Sequence, residues 1–137
     1  MISKVLKTWL VPVSAGALIP LGFSPYSLWP VIIPALWALC WSLCYQRPRL
    51  AAWQGWIFGL AFFGVGVSWV FVSIHEHGNA PVPLAAFLTL LFVAGISLFP
   101  ALQFYLTARL CPDNSPALNS LSFLVCWILF EWVRSWF

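Results

Sequence analysis

The sequence predicts an all-α, polytopic transmembrane helical bundle of about five spans. Three observations carry that expectation. Hydrophobic residues make up 63% of the 137-residue chain and charged residues only 7%, where a soluble domain carries roughly a quarter. The apolar residues form long runs, and the polar breaks between them are short and rich in turn residues. Spans of roughly 20–25 residues with short loops then use up the whole chain, leaving no room for a sizeable aqueous domain.

The first span is expected at about 5–21, with Lys4 and Lys7 snorkelling to one interface. A signal peptide is the rival reading, because Val13-Ser14-Ala15 resembles a cleavage site. The run before it, Trp9 to Pro12, is shorter than the roughly 7–15 residues an h-region needs, and apolarity continues beyond it. Phe23-Ser24-Pro25-Tyr26-Ser27 makes a short aromatic turn. The second span follows at about 29–45, with Pro30 in its first turn, where a missing N–H does no harm.

Gln46-Arg47-Pro48-Arg49 is a basic break before the third span, about 51–74. Within that span Gly55, Gly59, Gly66 and Ser73 fall on one face at helical spacing. Small residues on one stripe let a neighbouring backbone approach, so the sequence predicts close helix packing there. The fourth span, about 83–110, holds Pro100 in mid-segment and Gln103 close after it. A proline there frees a carbonyl and kinks the helix, and the expected kink packs against other spans. Arg109 to Pro116 is the last break, and the fifth span occupies about 117–136.

Charge orients the chain. With five spans, Lys4, Lys7, Arg47, Arg49 and Arg109 lie on the side of the N-terminus and Arg134 alone lies on the other. Positive residues stay in the cytoplasm, so the N-terminus is expected inside and the C-terminus outside. The scattered net charge of +3 forms no basic stripe, which argues against a nucleic-acid partner.

Few residues suggest chemistry. His75-Glu76-His77 is not H-E-x-x-H; its histidines would diverge on a helix, so it reads as a hydrated interfacial loop. Glu131 and Arg134 are i,i+3, flanked by Trp127, Trp132 and Trp136, and read as an ion pair in an aromatic belt or as a lipid or partner site. His75, Glu76, His77, Glu131 and Arg134 are therefore the candidate lipid-interface positions. Cys40, Cys44 and Cys126 lie in apolar runs as packing residues, and Cys111 lies in a break. No metal-ligand spacing, cofactor motif, phosphate loop or nucleophile constellation is visible, so no catalytic, metal or cofactor residue is assigned.

Three motifs stand in order along the chain. The first is Gly22-Phe23-Ser24-Pro25-Tyr26 followed by Leu28-Trp29-Pro30. The second runs from Gly59 through Phe62-Phe63-Gly64, Gly66 and Trp69-Val70-Phe71-Val72-Ser73-Ile74 to Gly78, Pro81 and Pro83. The third is Glu131-Trp132-Val133-Arg134 with Ser135 and Trp136. Together they resemble the bacterial apolipoprotein N-acyltransferases, with Ser135 in place of that family's glycine. The resemblance implies a multi-pass inner-membrane protein of lipoprotein maturation. That enzyme moves an acyl chain from a phospholipid to the N-terminal diacylglyceryl-cysteine of a lipoprotein. It also implies a nitrilase-like Glu-Lys-Cys domain, which these residues do not contain. The expectation is a truncated or split membrane part, inactive alone. Its partners are membrane phospholipid, lipoprotein substrate and a catalytic domain supplied by a separate chain. The alternative is a small non-enzymatic polytopic protein acting as an assembly or lipid-binding partner.

Overall fold

A computed structural model describes residues 6–23, 26–44, 46–110 and 115–136, with side chains from Thr8 onward. Lys4, Ser24, Pro25, Tyr45, Cys111 and Asp113 lie outside the described residues.

Among the described residues the chain is helical, with no strand. Helix α1 is continuous through a π-turn at Leu6–Leu10, an α-helix at Val11–Leu18 and a 3₁₀ turn at Ile19–Gly22. Helix α2 opens as a 3₁₀ turn at Trp29–Val31 and continues over Ile32–Leu43. Helix α3 is Pro48–Gly66, with its proline in the first turn. Helix α4 comprises Ser68–Val72 and a π-turn at Ser73–His77. Helices α5, Val82–Ile96, and α6, Leu98–Leu110, are divided only at Ser97. Helix α7 is Pro116–Arg134.

Two of these units are long and apolar enough to cross a membrane: Val82–Leu110, of 29 residues, and Pro116–Arg134, of 19. A third is α3 with α4, bent by 59° at its break. The expected span at 51–74 is therefore not one straight helix. Gly64 and Gly66 lie just before the weak point, and Val67 leaves helical geometry there with φ −113° and ψ 26°. Glycine pairs are among the usual causes of a sharp bend. Thr8–Gly22 and Trp29–Leu43 are apolar but only 10–17 residues long, short of the roughly 20 residues that cross a bilayer unaided.

Helix α3 is the centre of the bundle, with α6 on one side and α1 on another. Lipid removes the hydrophobic drive between helices, so backbone approach and dispersion must hold them. Glycines supply that approach. A Cβ on Gly55 would strike the Pro100 carbonyl and sit 2.9 Å from the Ala101 Cα; one on Gly59 would sit 2.7 Å from the Pro100 ring and 2.8 Å from the Ser97 Cβ. Across the helix, a Cβ on Gly16 of α1 would come within 2.5 Å of the Phe58 carbonyl. Gly66 and Ser73 do not join this contact. Gly66 faces open space and Ser73 is exposed, because the bend at Val67 ends the stripe.

The stretch around Pro100 is packed rather than loose. Pro100 sits in the first turn of α6, where its missing N–H leaves no gap. Ser97 Oγ donates to the Val93 carbonyl at 2.6 Å, and Trp56 Nε1 of α3 donates to the Ala94 carbonyl at 3.3 Å. The indole thus serves a carbonyl beside the break, in a medium that offers no water. The core then closes around Ala15 and Ile19 of α1, Leu39 and Leu43 of α2, and Phe58, Phe104 and Phe123. Asn119 of α7, buried, ties in α2 by donating to the Cys40 carbonyl at 3.3 Å and to Cys44 Sγ at 3.4 Å.

Gly55→Ala should lower the melting temperature in detergent, with an overpacking cost of about 1–3 kcal/mol. Gly64→Ala, where a Cβ meets nothing within 4 Å, should be neutral or stabilising by up to about 1 kcal/mol. Equal effects of the two would refute the close-approach account.

Candidate functional site

At the end of α7, Glu131 and Arg134 share a helical face. Arg134 Nη2 donates to Glu131 Oε2, and the guanidinium carbon stands 5.7 Å from the centre of the Phe63 ring on α3. Ser135 Oγ closes the helix end onto the Trp132 carbonyl at 2.7 Å, and Trp132 and Trp136 meet edge-on with centroids 5.9 Å apart. The side chains of Arg134 and Glu131 are 35% and 44% exposed. At a wetted interface such a pair contributes up to about 1 kcal/mol, so it is not what holds α7 in place.

Beneath the pair lies a small cavity of about 30 Å³, the share of roughly one water molecule. Phe58, Phe62, Phe63 and Phe99 form one part of its wall and Trp127 and Phe130 another. Gln103 lines it from α6. That side chain is 5% exposed, and its Nε2 has no hydrogen-bond partner. Phe58 stacks on Phe104 at 5.5 Å, Phe104 meets Phe123 at 5.7 Å, and Phe123 meets Trp127 at 5.6 Å. A chain of rings therefore fixes the wall to the core.

Phe62 and Phe63 also line a larger cavity, of about 580 Å³. Pro20, Leu21, Phe23 and Tyr26 line it from the end of α1 and the following turn. Val65 to Ser68 line it from the break in α3. The bend at Val67 thus has a spatial consequence: it opens the bundle beside the pocket capped by Arg134. Apolar walls, one ion pair and one buried amide suit an amphiphile with a chain to bury and a polar head to orient.

The His75–His77 turn is elsewhere. His75 Nδ1 lies 2.8 Å from the Ala80 carbonyl, and its ring stacks on Phe71 at 5.8 Å. A carbonyl only accepts, so Nδ1 carries the proton. Glu76 and His77 are exposed, and none of the three lines either cavity. Asn79 turns the chain with φ 50°, a conformation asparagine tolerates better than most residues. Among the described residues no group of three or more His, Cys, Asp or Glu is placed to hold a metal. Cys40 and Cys44 pack against Asn119, and Cys126 is buried.

Comparison with known proteins adds to this geometry. Residues 15–137 match the family described as the apolipoprotein N-acyltransferase N-terminal domain. The chain belongs to that family. It is 45% identical over 129 residues to an apolipoprotein N-acyltransferase of Pseudomonas paraeruginosa, covering 93% of this chain and 25% of that one. It is 44% identical over 124 residues to that of Coxiella burnetii, covering 88% and 25%. It is 39% identical over 132 residues to that of Methylococcus capsulatus, covering 96% and 26%. The chain spans about a quarter of the length of these curated relatives.

Sequence reasoning paired Glu131 with Arg134 from their spacing. Their seat on Phe63 depends on the approach of α3 to α7, which no local pattern reports. Gln103 stands out in the sequence only as a polar residue close after Pro100; in the structure its amide nitrogen has no partner among the described residues, and the side chain lines the pocket.

Gln103→Met should leave the melting temperature in detergent unchanged or raise it, because it removes a buried amide nitrogen left without a partner among the described residues, at a cost of about 1–3 kcal/mol. A fall of more than a few degrees would mean that this amide has a structural partner.

Proposed function

We propose that residues 1–137 act as the membrane arm of an apolipoprotein N-acyltransferase. In this reading the bundle lies in the bacterial inner membrane in five passes, with its N-terminus cytoplasmic and its C-terminus periplasmic. The arm presents phospholipid and lipoprotein chains to a nitrilase-like domain at the outer surface. The catalytic thiol gives its proton to a base in that domain and takes the acyl chain as a thioester, and the lysophospholipid leaves with that proton on its freed oxygen. The amine of the diacylglyceryl-cysteine then attacks the thioester to form the amide, and its proton passes through the same base to the departing thiolate, which restores the thiol. The chemistry thus belongs to residues beyond this arm, and these residues orient and enclose.

The observation that carries the reading is the match over residues 15–137. The Glu131–Arg134 end supports it, since an aromatic pocket and a wider cavity adjoin there beneath an ion pair. A net-neutral pair can accept or donate to a zwitterionic headgroup without selecting one sign of charge. The His75–His77 turn is proposed to lie at the same outer surface and to meet headgroups or the partner domain.

The test is a chimera in which residues 1–137 replace the matching quarter of the Pseudomonas paraeruginosa relative. It should restore lipoprotein N-acylation in a strain depleted of its own enzyme, read by mass spectrometry of a reporter lipopeptide. Arg134→Ala in the chimera should lower kcat/KM about tenfold, with Arg134→Lys intermediate because lysine lacks the planar fork and the ring contact. Residues 1–137 alone should give no product. A folded, membrane-inserted chimera without activity would overturn the proposal.

A further inference from the structure

The other end of α3 carries a groove that the outer site does not use. It holds about 520 Å³ and runs between α3 and α6. Ala52, Trp53 and Trp56 line it from α3, and Leu98, Ala101 and Tyr105 from α6, with Arg49 also contributing. Its origin is the same close contact that organises the bundle. Gly55 draws α6 in at Pro100 and Ala101. The small side chains of Ala52 and Ala101 leave a trough between the large rings on either side. Trp53 is 57% exposed and meets Trp56 edge-on at 5.4 Å. The Trp56 N–H is already committed to the Ala94 carbonyl, so that ring offers the groove its apolar surface.

Charge distinguishes this groove from an ordinary lipid-facing crevice. Arg49 is exposed and pairs with no carboxylate among the described residues. Arg47 precedes α3 and Arg109 lies in the last turn of α6. The two helices run antiparallel, with Gly55 opposite Pro100 and Ala101, so all three arginines gather at one end of the bundle. The described carboxylates stand away from it. Glu131 is beside Phe63 near the far end of α3, and Glu76 is beyond the break. With 19 residues, α3 separates the two ends by roughly 28 Å.

We propose that this groove is a second lipid site, taking an anionic phospholipid with its phosphate at Arg49 and an acyl chain along Trp53 and Leu98. Its volume falls within the roughly 300–1,000 Å³ of small-molecule sites. Guanidinium groups hold phosphate oxygens in a planar fork, and basic pockets between membrane helices recognise acidic headgroups. The excess of cations makes the occupant anionic rather than zwitterionic. The site requires only that the bundle stand in a membrane; it does not depend on acyl transfer.

The experiment measures retention of phosphatidylglycerol against phosphatidylcholine of the same chains. The 137-residue chain is placed in nanodiscs containing equal amounts of the two, and bound lipid is read by native mass spectrometry after release. Phosphatidylglycerol should be retained about tenfold more tightly than phosphatidylcholine. Arg49→Gln should lower the preference several-fold, with Arg47 and Arg109 keeping the remainder, Arg49→Lys should keep most of it, and Ala52→Leu, which fills the trough, should lower retention of both lipids. Leu124→Ala, an exposed position on α7 that lines none of the three cavities, should leave the preference intact. Equal retention of the two lipids, or an unchanged preference in Arg49→Gln, would overturn the proposal. So would disulfide cross-linking of an Ala52→Cys variant to a second copy, which would show the groove covered by protein. Helicity by circular dichroism confirms that each variant is folded, and the exposed Arg49 variants carry the decision if Ala52→Leu is not.

Discussion

The bundle depends on one contact, the approach of α3 to the Pro100 turn of α6 at Gly55 and Gly59. In water an apolar helix face finds a partner because water expels it. In a bilayer the lipid tails are as apolar as leucine, and only closer packing than lipid can offer favours the partner helix. Two glycines facing a proline ring and a carbonyl supply that packing. Pro100 has a double role. It ends the α5 ladder at Ser97, and it presents a flat ring that a glycine face can meet. The disturbed backbone stays satisfied because Ser97 and Trp56 serve the Val93 and Ala94 carbonyls. Gly16 repeats the device for α1 on another side of α3.

From that contact the two ends acquire different characters. Toward Arg49 the helices leave a shallow trough between tryptophans, with cations unmatched by described carboxylates. Toward Phe63 the packing is aromatic, and α3 breaks at Val67. The break turns α4 away by 59° and leaves space beside Phe62 and Phe63. A straight α3 would carry Gly66 and Ser73 on the same face as Gly55 and Gly59. The bend sacrifices that continuity, and a cavity opens where it occurs.

What was legible in the sequence follows from which interactions are local. The helical class came from composition, and the positions of the breaks came from turn residues and charge. The Glu131–Arg134 pair came from i,i+3 spacing. Gly55 and Gly59 stood out by the i,i+4 rule, but the same rule extended the stripe to Gly66 and Ser73 because periodicity assumes a straight helix. Gly64 and Gly66, two residues apart, were the available sign of the bend. Gly16 and Asn119 were not legible at all. Each matters through a partner on another helix, Gly16 through Phe58 and Asn119 through Cys40 and Cys44. Helices α1, residues 6–22, and α2, Trp29–Leu43, run over nearly the stretches where the first two spans are expected, and each is short for a bilayer crossing.

The contrast between the ends bears on how a membrane arm could serve a surface reaction. At the Glu131 end the charges neutralise one another, and Arg134 is held over Phe63 rather than left to water. In the proposed function such a pair would orient a headgroup without holding it by net charge, which suits a site whose lipids must come and go. At the Arg49 end there is no such compensation among the described residues. Unpaired arginines beside a tryptophan-lined trough favour a lipid that stays. Bound lipid there would add contacts on the outer flank of the α3–α6 pair, the joint on which the Phe63 wall depends. On the two proposals made above, the ends would act on one helix pair, one by exchange and the other by retention.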